Sequence, residues 1–325
     1  MTRRRWTALL AWGAGLALLA WALRHISWPD LWAILRGLTL GQLALLLLLN
    51  LLILLTLTAR WRAFVVTLPQ RIPFLTLFQA RLAAFAVSYF TPGPQFGGEP
   101  LQVLGLRMHG TPTSAATATV ALDKLVELLT NFTVLGLGVM ALWAVGLGDA
   151  RGRTLASVLA AALLALPLLY LLLLWRRRHP FAVLFRWLAA RRTAGRLKRG
   201  LGVLAESEAL AGELARTRPD VLLRALAWAG AGWVLMLLEF GLSARFLGAA
   251  LSPAATLAAL AAARVAFLLP LPGGLGALSS SLVLVFSAMG YDPNAALALT
   301  LYIRARDVLL GLAGAVLAGR LFRAR

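Results

Sequence analysis

The sequence predicts an all-α, polytopic integral membrane protein built from two inverted repeats, each carrying a re-entrant helical hairpin broken by proline and glycine. Three observations predict it. Of 325 residues, 61% are hydrophobic and only 14% charged, with a mean hydropathy of +0.82. Stretches such as "LALLLLLNLLILLTLTA" are apolar on every face, whereas a helix on a soluble domain would alternate apolar and polar positions. Two apolar stretches are interrupted near their centres, by "TPGPQFGGEP" at 91–100 and "PLPGGLG" at 270–276.

Taken in order, residues 1–22 have a basic start and an apolar run in the manner of a signal peptide. The length of that run and the flank "LRHISWPD", which does not look like a small-residue cleavage site, favour a retained anchor over 6–23. Further spans are expected at 38–58, 114–146, 154–175, 221–247 and 294–319. The interrupted stretches 74–109 and 254–289 each read as two short helices. The whole chain, 1–325, is expected to form a single membrane domain, with a first half at 1–146, a basic linker or surface helix at 176–220, and a second half at 221–325.

Charge sets the orientation. Lys and Arg number 32 against 12 acids, a net +20, and only Lys124 and Lys198 are lysines. Most of the arginines sit in short loops between apolar segments, where they orient the chain and attract anionic headgroups, so a nucleic-acid partner is not expected. Residues 176–199 hold nine Arg or Lys and no acid, which marks the cytoplasmic side. The N-terminal "RRR", the "RWR" at 60–62, Arg71 and the C-terminal "GRLFRAR" are expected on that same side, with 24–37 and 147–153 opposite. Six crossings satisfy this parity only if each broken stretch returns to the face it left, the first entering from the cytoplasm and the second from outside.

The halves repeat. Setting 110–127, "GTPTSAATATVALDKLVE", beneath 290–307, "GYDPNAALALTLYIRARD", aligns Gly110 with Gly290, Lys124 with Arg304 and Glu127 with Asp307. Each segment lies downstream of its own broken stretch. Discontinuous helices in inverted repeats meet near the bilayer midplane and line a site. Broken backbone is tolerated at that depth only where protein or a wet cavity supplies its hydrogen bonds. Half-helices beginning after Gly97 and Gly98, or after Gly273 and Gly274, would aim free N–H groups at an anion. The plainer alternative is that these glycines merely permit close helix contact.

Ten charges fall within apolar stretches: Arg81, Glu99, Asp123, Lys124, Glu127, Glu239, Arg264, Arg304, Arg306 and Asp307. A charge at a span's centre costs about 2.5–3.5 kcal/mol on insertion scales, so these must face inward. Spacings of three or four place Lys124 with Glu127, Asp123 with Glu127, and Arg304 with Asp307 on shared helix faces. Such pairs serve either to bind a ligand or to hold a bundle together. Arg81 and Arg264 have no acid within a turn, which favours an anionic ligand; arginine suits a phosphodiester because its planar fork stays charged.

Catalytic signatures are not apparent. Cysteine is absent, His25, His109 and His179 are scattered, and no P-loop, G-x-S-x-G or H-E-x-x-H motif occurs. The serines at 279–281 read as helix packing. Neither a cofactor nor a metal is expected.

Two segments carry a resemblance: "TPGPQFGGEPLQVLGLRMHGTPTSAATATVALDKLVE" at 91–127 and "LLPLPGGLGALSSSLVLVFSAMGYDPNAALALTLYIRARD" at 268–307. In these the chain resembles the integral-membrane flippase domain of bacterial lysylphosphatidylglycerol synthetases, a family that also occurs as free-standing proteins. The resemblance implies passage of a modified phospholipid, or a related polyprenyl lipid, between the leaflets of the inner membrane. It does not reach an aminoacyl-transferring domain, so synthase activity is not carried over. Ser279 stands where that family commonly has glutamate, which puts its substrate or driving force in doubt here.

The expected function is therefore a lipid flippase or transporter, not an enzyme, with membrane phospholipid as partner and both termini cytoplasmic. Arg81, Lys124, Arg264 and Arg304 would hold an anionic headgroup, and the five acids would tune the field or receive a cationic moiety. A lipid-modifying enzyme and a non-transporting scaffold are the alternatives.

Overall fold

The computed structural model describes residues 29, 32, 36–90, 97–146, 149–191, 195–268 and 276–323. The expected anchor at 6–23, His25, most of both Pro/Gly breaks, and Gly273 and Gly274 lie outside the described residues. Everything regular among the described residues is helical. The eleven helices are α1 (Leu40–Val65), α2 (Phe74–Phe90), α3 (Glu99–Arg107), α4 (Thr113–Ala144), α5 (Ala150–Trp175), α6 (Pro180–Ala190), α7 (Arg196–Thr217), α8 (Pro219–Phe246), α9 (Pro253–Leu268), α10 (Ala277–Ala288) and α11 (Pro293–Arg323).

Four of these, α1, α4, α5 and α8, are long and apolar enough to cross a membrane. They correspond to the spans expected at 38–58, 114–146, 154–175 and 221–247. α11 covers the span expected at 294–319 but carries Arg304, Arg306 and Asp307 in its middle. Both interrupted stretches are pairs of helices, α2 with α3 and α9 with α10, as proline and glycine at their centres require. At about 1.5 Å per residue none of the four reaches the roughly 30 Å of a hydrocarbon core.

One expectation is corrected at α1. Arg60 was placed with Arg62 in a cytoplasmic flank after a span ending at 58, but the helix runs on to Val65. Arg60, Trp61 and Phe64 are all buried in it. The two aromatic side chains need an apolar contact, and α4, α7 and α8 supply one around Phe64 through Leu122, Ala211 and Ala225.

The described helices group into two compact units. One comprises Met1–Leu47, Gln79–Gly98 and Phe240–Arg325; the other comprises Leu48–Phe78 and Glu99–Glu239. In the first, α10 packs against both α9 and α11. α2 and α11 run antiparallel where they touch, since Gly311 faces the Phe90 ring while Gly314 faces the Leu82 carbonyl. A Cβ at Gly314 would lie 2.1 Å from that oxygen, so only glycine admits the contact.

In the second unit the segment expected as a basic linker or surface helix forms two helices, α6 and α7, packed on each other. Buried Glu208 on α7 receives hydrogen bonds from Tyr170 Oη on α5 (2.9 Å), from the Phe181 N–H (3.3 Å) and from the Ala182 N–H. The last two are first-turn donors of α6, which have no partner within their own helix. Replacing Glu208 with alanine leaves three donors unanswered, and the expected loss is about 2–3 kcal/mol of stability. A thermal unfolding midpoint in detergent equal to that of the native protein would show that α6 is not held this way.

Candidate functional site

The charged side chains of the second unit form one connected chain. Asp123 and Glu127, four apart on α4, present their carboxylates on one face. Arg60 from α1 meets them with its planar fork: Nε donates to Asp123 Oδ1 at 2.7 Å, and Nη2 donates to Asp123 Oδ2 at 3.2 Å and to Glu127 Oε2 at 2.8 Å. Glu127 also accepts from Lys124 Nζ at 2.7 Å, and Lys124 lies 3.4 Å from Glu99 Oε1. Glu99 is the first residue of α3, where free N–H groups favour a carboxylate. Three carboxylates thus meet two cations.

Exposure is uneven within this chain. The Arg60 and Asp123 side chains are 3% and 5% exposed, whereas Lys124, Glu99 and Glu127 reach 20%, 26% and 38%. Lys124 lies eleven residues into α4, about 16 Å from its start. In a helix long and apolar enough to cross a membrane, an exposed charge cannot face hydrocarbon without a cost of several kcal/mol, so the open side of the group faces water or a polar ligand. Glu239, also in this unit, is buried and accepts from Asn50 Nδ2 at 3.3 Å.

The first unit contains the other predicted residues. Gly98 lies so close to α2 that a Cβ would fall 2.0 Å from the Ala84 carbonyl oxygen, and its N–H donates to Ser88 Oγ at 3.0 Å. The chain has therefore doubled back along α2 by the time it leaves the first break. Gly97 before it has φ +129°, open only to glycine without strain.

On α11, the shared face predicted for Arg304 and Asp307 does not become an ion pair. Asp307 is taken by Arg306, whose guanidinium donates to Oδ1 at 2.9 Å. Arg304 points to α10 instead, where Nη2 donates to Ser279 Oγ at 3.0 Å, and its buried Nε has no hydrogen-bond partner. Arg81 sits on α2 beside Leu82, level with Gly314, ten residues and about 15 Å along α11 from Arg304. Arg264 is half-buried on α9. Of the predicted cations, Lys124 belongs to one unit, and Arg81 and Arg304 stand at different levels of the other.

Sequence reasoning missed Arg60 and Asn50; it read the serines at 279–281 as packing and marked Ser279 only for standing where the resembled family has glutamate. A signal for Arg60 existed in the charge count, because Asp123, Glu127 and Glu99 outnumber the single Lys124 and call for another cation. Among the described residues, no group of three or more His, Asp or Glu is placed to hold a metal ion.

No curated protein and no solved structure matches the chain. One family model, described as the lysylphosphatidylglycerol synthase TM region, matches residues 7–314. That match takes in α1 to α10 and α11 as far as Gly314, and with them the broken stretches, the Arg60 to Glu99 chain of charges and the Arg304 contact. This multi-pass membrane protein therefore belongs to the family of lysylphosphatidylglycerol synthase transmembrane regions.

Proposed function

We propose that the protein moves a phospholipid headgroup between leaflets, acting as a flippase or transporter with no catalytic step of its own. The substrate class is an anionic or aminoacylated phospholipid or a related polyprenyl lipid. The observation that carries the reading is the group of charges on and beside membrane-spanning helices that is dry at Arg60 and Asp123 but partly exposed at Glu127, Lys124 and Glu99. A scaffold gains nothing from charges left partly exposed there, whereas a headgroup crossing oil needs them.

Two further features support it. Both interrupted apolar stretches are helix pairs too short to span, as expected of re-entrant hairpins. The repeat register also places glycines of left-handed φ at corresponding positions, Gly110 at +82° and Gly290 at +77°. In this reading the repeats are inverted, the protein lies in the bacterial inner membrane, and the basic 176–199 segment faces the cytoplasm.

Reconstitution with fluorescent phospholipids of several headgroups, read by leaflet-selective quenching, tests the proposal. The native protein is expected to accelerate exchange over empty vesicles, and Lys124→Gln to slow it about tenfold or more, the loss of one charged hydrogen bond. Exchange no faster than in empty vesicles for every headgroup sinks the proposal. Conversion of the added lipid, followed by mass spectrometry, would turn the reading toward an enzyme.

A further inference from the structure

The register that aligns Gly110 with Gly290 and Lys124 with Arg304 also aligns Glu99 with Ser279, since each lies eleven residues before its glycine. The structure gives this correspondence physical content. Lys124 reaches Glu99 in one unit, and Arg304 reaches Ser279 in the other, so the equivalent cation contacts the equivalent residue in both. The chemistry differs between them. Lys124 meets carboxylates on two sides, whereas Arg304 meets a hydroxyl.

Nothing else neutralises Arg304 among the described residues. Asp307, the counterpart of Glu127, is engaged by Arg306, and the buried Nε of Arg304 has no hydrogen-bond partner. Arg304 lies eleven residues into α11, about 16 Å from its start, at the depth Lys124 has in α4. A guanidinium does not shed its proton to escape such a place. Its charge has to be met by an anion, and the repeat has removed the carboxylate that would have met it internally.

We infer that Arg304 and Ser279 form an anion subsite for a phosphate ester, of which Lys124 and Glu99 are the self-neutralised counterpart. The guanidinium offers parallel N–H donors to two phosphate oxygens, and the serine hydroxyl can accept from Arg304 while donating to the ligand. A carboxylate at 279 would close the site by pairing with Arg304 and repelling the phosphate. The source of the phosphate, a lipid headgroup, rests on the transport reading above; the anion chemistry does not.

The test uses the full-length protein in phosphatidylcholine nanodiscs, titrated calorimetrically with dihexanoyl phosphatidylglycerol and, separately, with inorganic phosphate. Arg304→Gln and Ser279→Glu are each expected to weaken the short-chain lipid about tenfold, the worth of one charged hydrogen bond. Arg304→Lys, which keeps the charge, and Ser279→Gln, which matches glutamate in size without its charge, are expected to retain most of the affinity. Native affinity in monodisperse Arg304→Gln and Ser279→Glu overturns the inference, as does equal loss in Ser279→Gln, which would make the effect steric. Inorganic phosphate binding as tightly as the lipid supports the anion site and overturns its lipid source. The same samples assayed for exchange separate the two ideas: binding without exchange in the native protein removes the transport reading and leaves the subsite standing.

Discussion

Arg60→Leu is expected to be the most damaging single substitution in the protein, lowering stability by about 3–5 kcal/mol, because it strands the buried Asp123 carboxylate, whereas the more open Glu127 keeps Lys124. The cost is not the worth of the ion pair itself. It arises because a buried carboxylate left without its partner keeps the full penalty of having been taken out of water. The triple variant Arg60→Met, Asp123→Leu, Glu127→Leu removes the whole group and is expected to regain most of that loss in unfolding experiments, while abolishing lipid exchange. If Arg60→Leu alone unfolds at the native midpoint in detergent, the triad is wetter than its burial implies.

Gly98→Val ranks second. At the present backbone position its Cβ would lie 2.0 Å from the Ala84 carbonyl oxygen, and no rotamer relieves that, because the clash is with backbone. The chain must move away from α2, which breaks the hydrogen bond from the Gly98 N–H to Ser88 Oγ. Overpacking of this kind costs about 1–3 kcal/mol, occasionally more. The displacement falls next to Glu99 and so also shifts the carboxylate that Lys124 reaches. Loss of lipid exchange at temperatures where Gly98→Val is still folded is the expected signature. A variant that is destabilised yet exchanges lipid normally would confine Gly98 to packing.

The helices were legible because an apolar stretch of roughly 20 residues has few other fates, and the breaks because proline and glycine cannot continue a helix unmarked. Local spacing found the pairing of Lys124 with Glu127, three residues apart on one helix. The same spacing failed for Arg304 and Asp307. Arg306 reaches Asp307 from the adjacent position while Ser279 draws Arg304 to another helix, so shared facing did not decide the partner. Arg60 with Asp123, and Asn50 with Glu239, lay beyond local reading altogether, since those partners meet only through tertiary packing. The end of α1 was misjudged because hydropathy falls at "RWR", yet Trp61 and Phe64 bury enough surface to carry the helix and its arginine inward.

The anchoring of α6 by Glu208 has a mechanical corollary. α5 has 26 residues, but Arg151 and Arg153 stand in its first turn, so its apolar part is about 22 residues, roughly 33 Å, close to a typical hydrocarbon core. Such a helix ordinarily follows a thinner bilayer by leaning on its own. Here its Tyr170 is tied through Glu208 to α6, whose Trp187 stacks under the Arg191 guanidinium at 3.6 Å, a pairing suited to the headgroup layer. Leaning of α5 would therefore carry α6 and α7 with it, coupling the tilt of one spanning helix to two shorter neighbours.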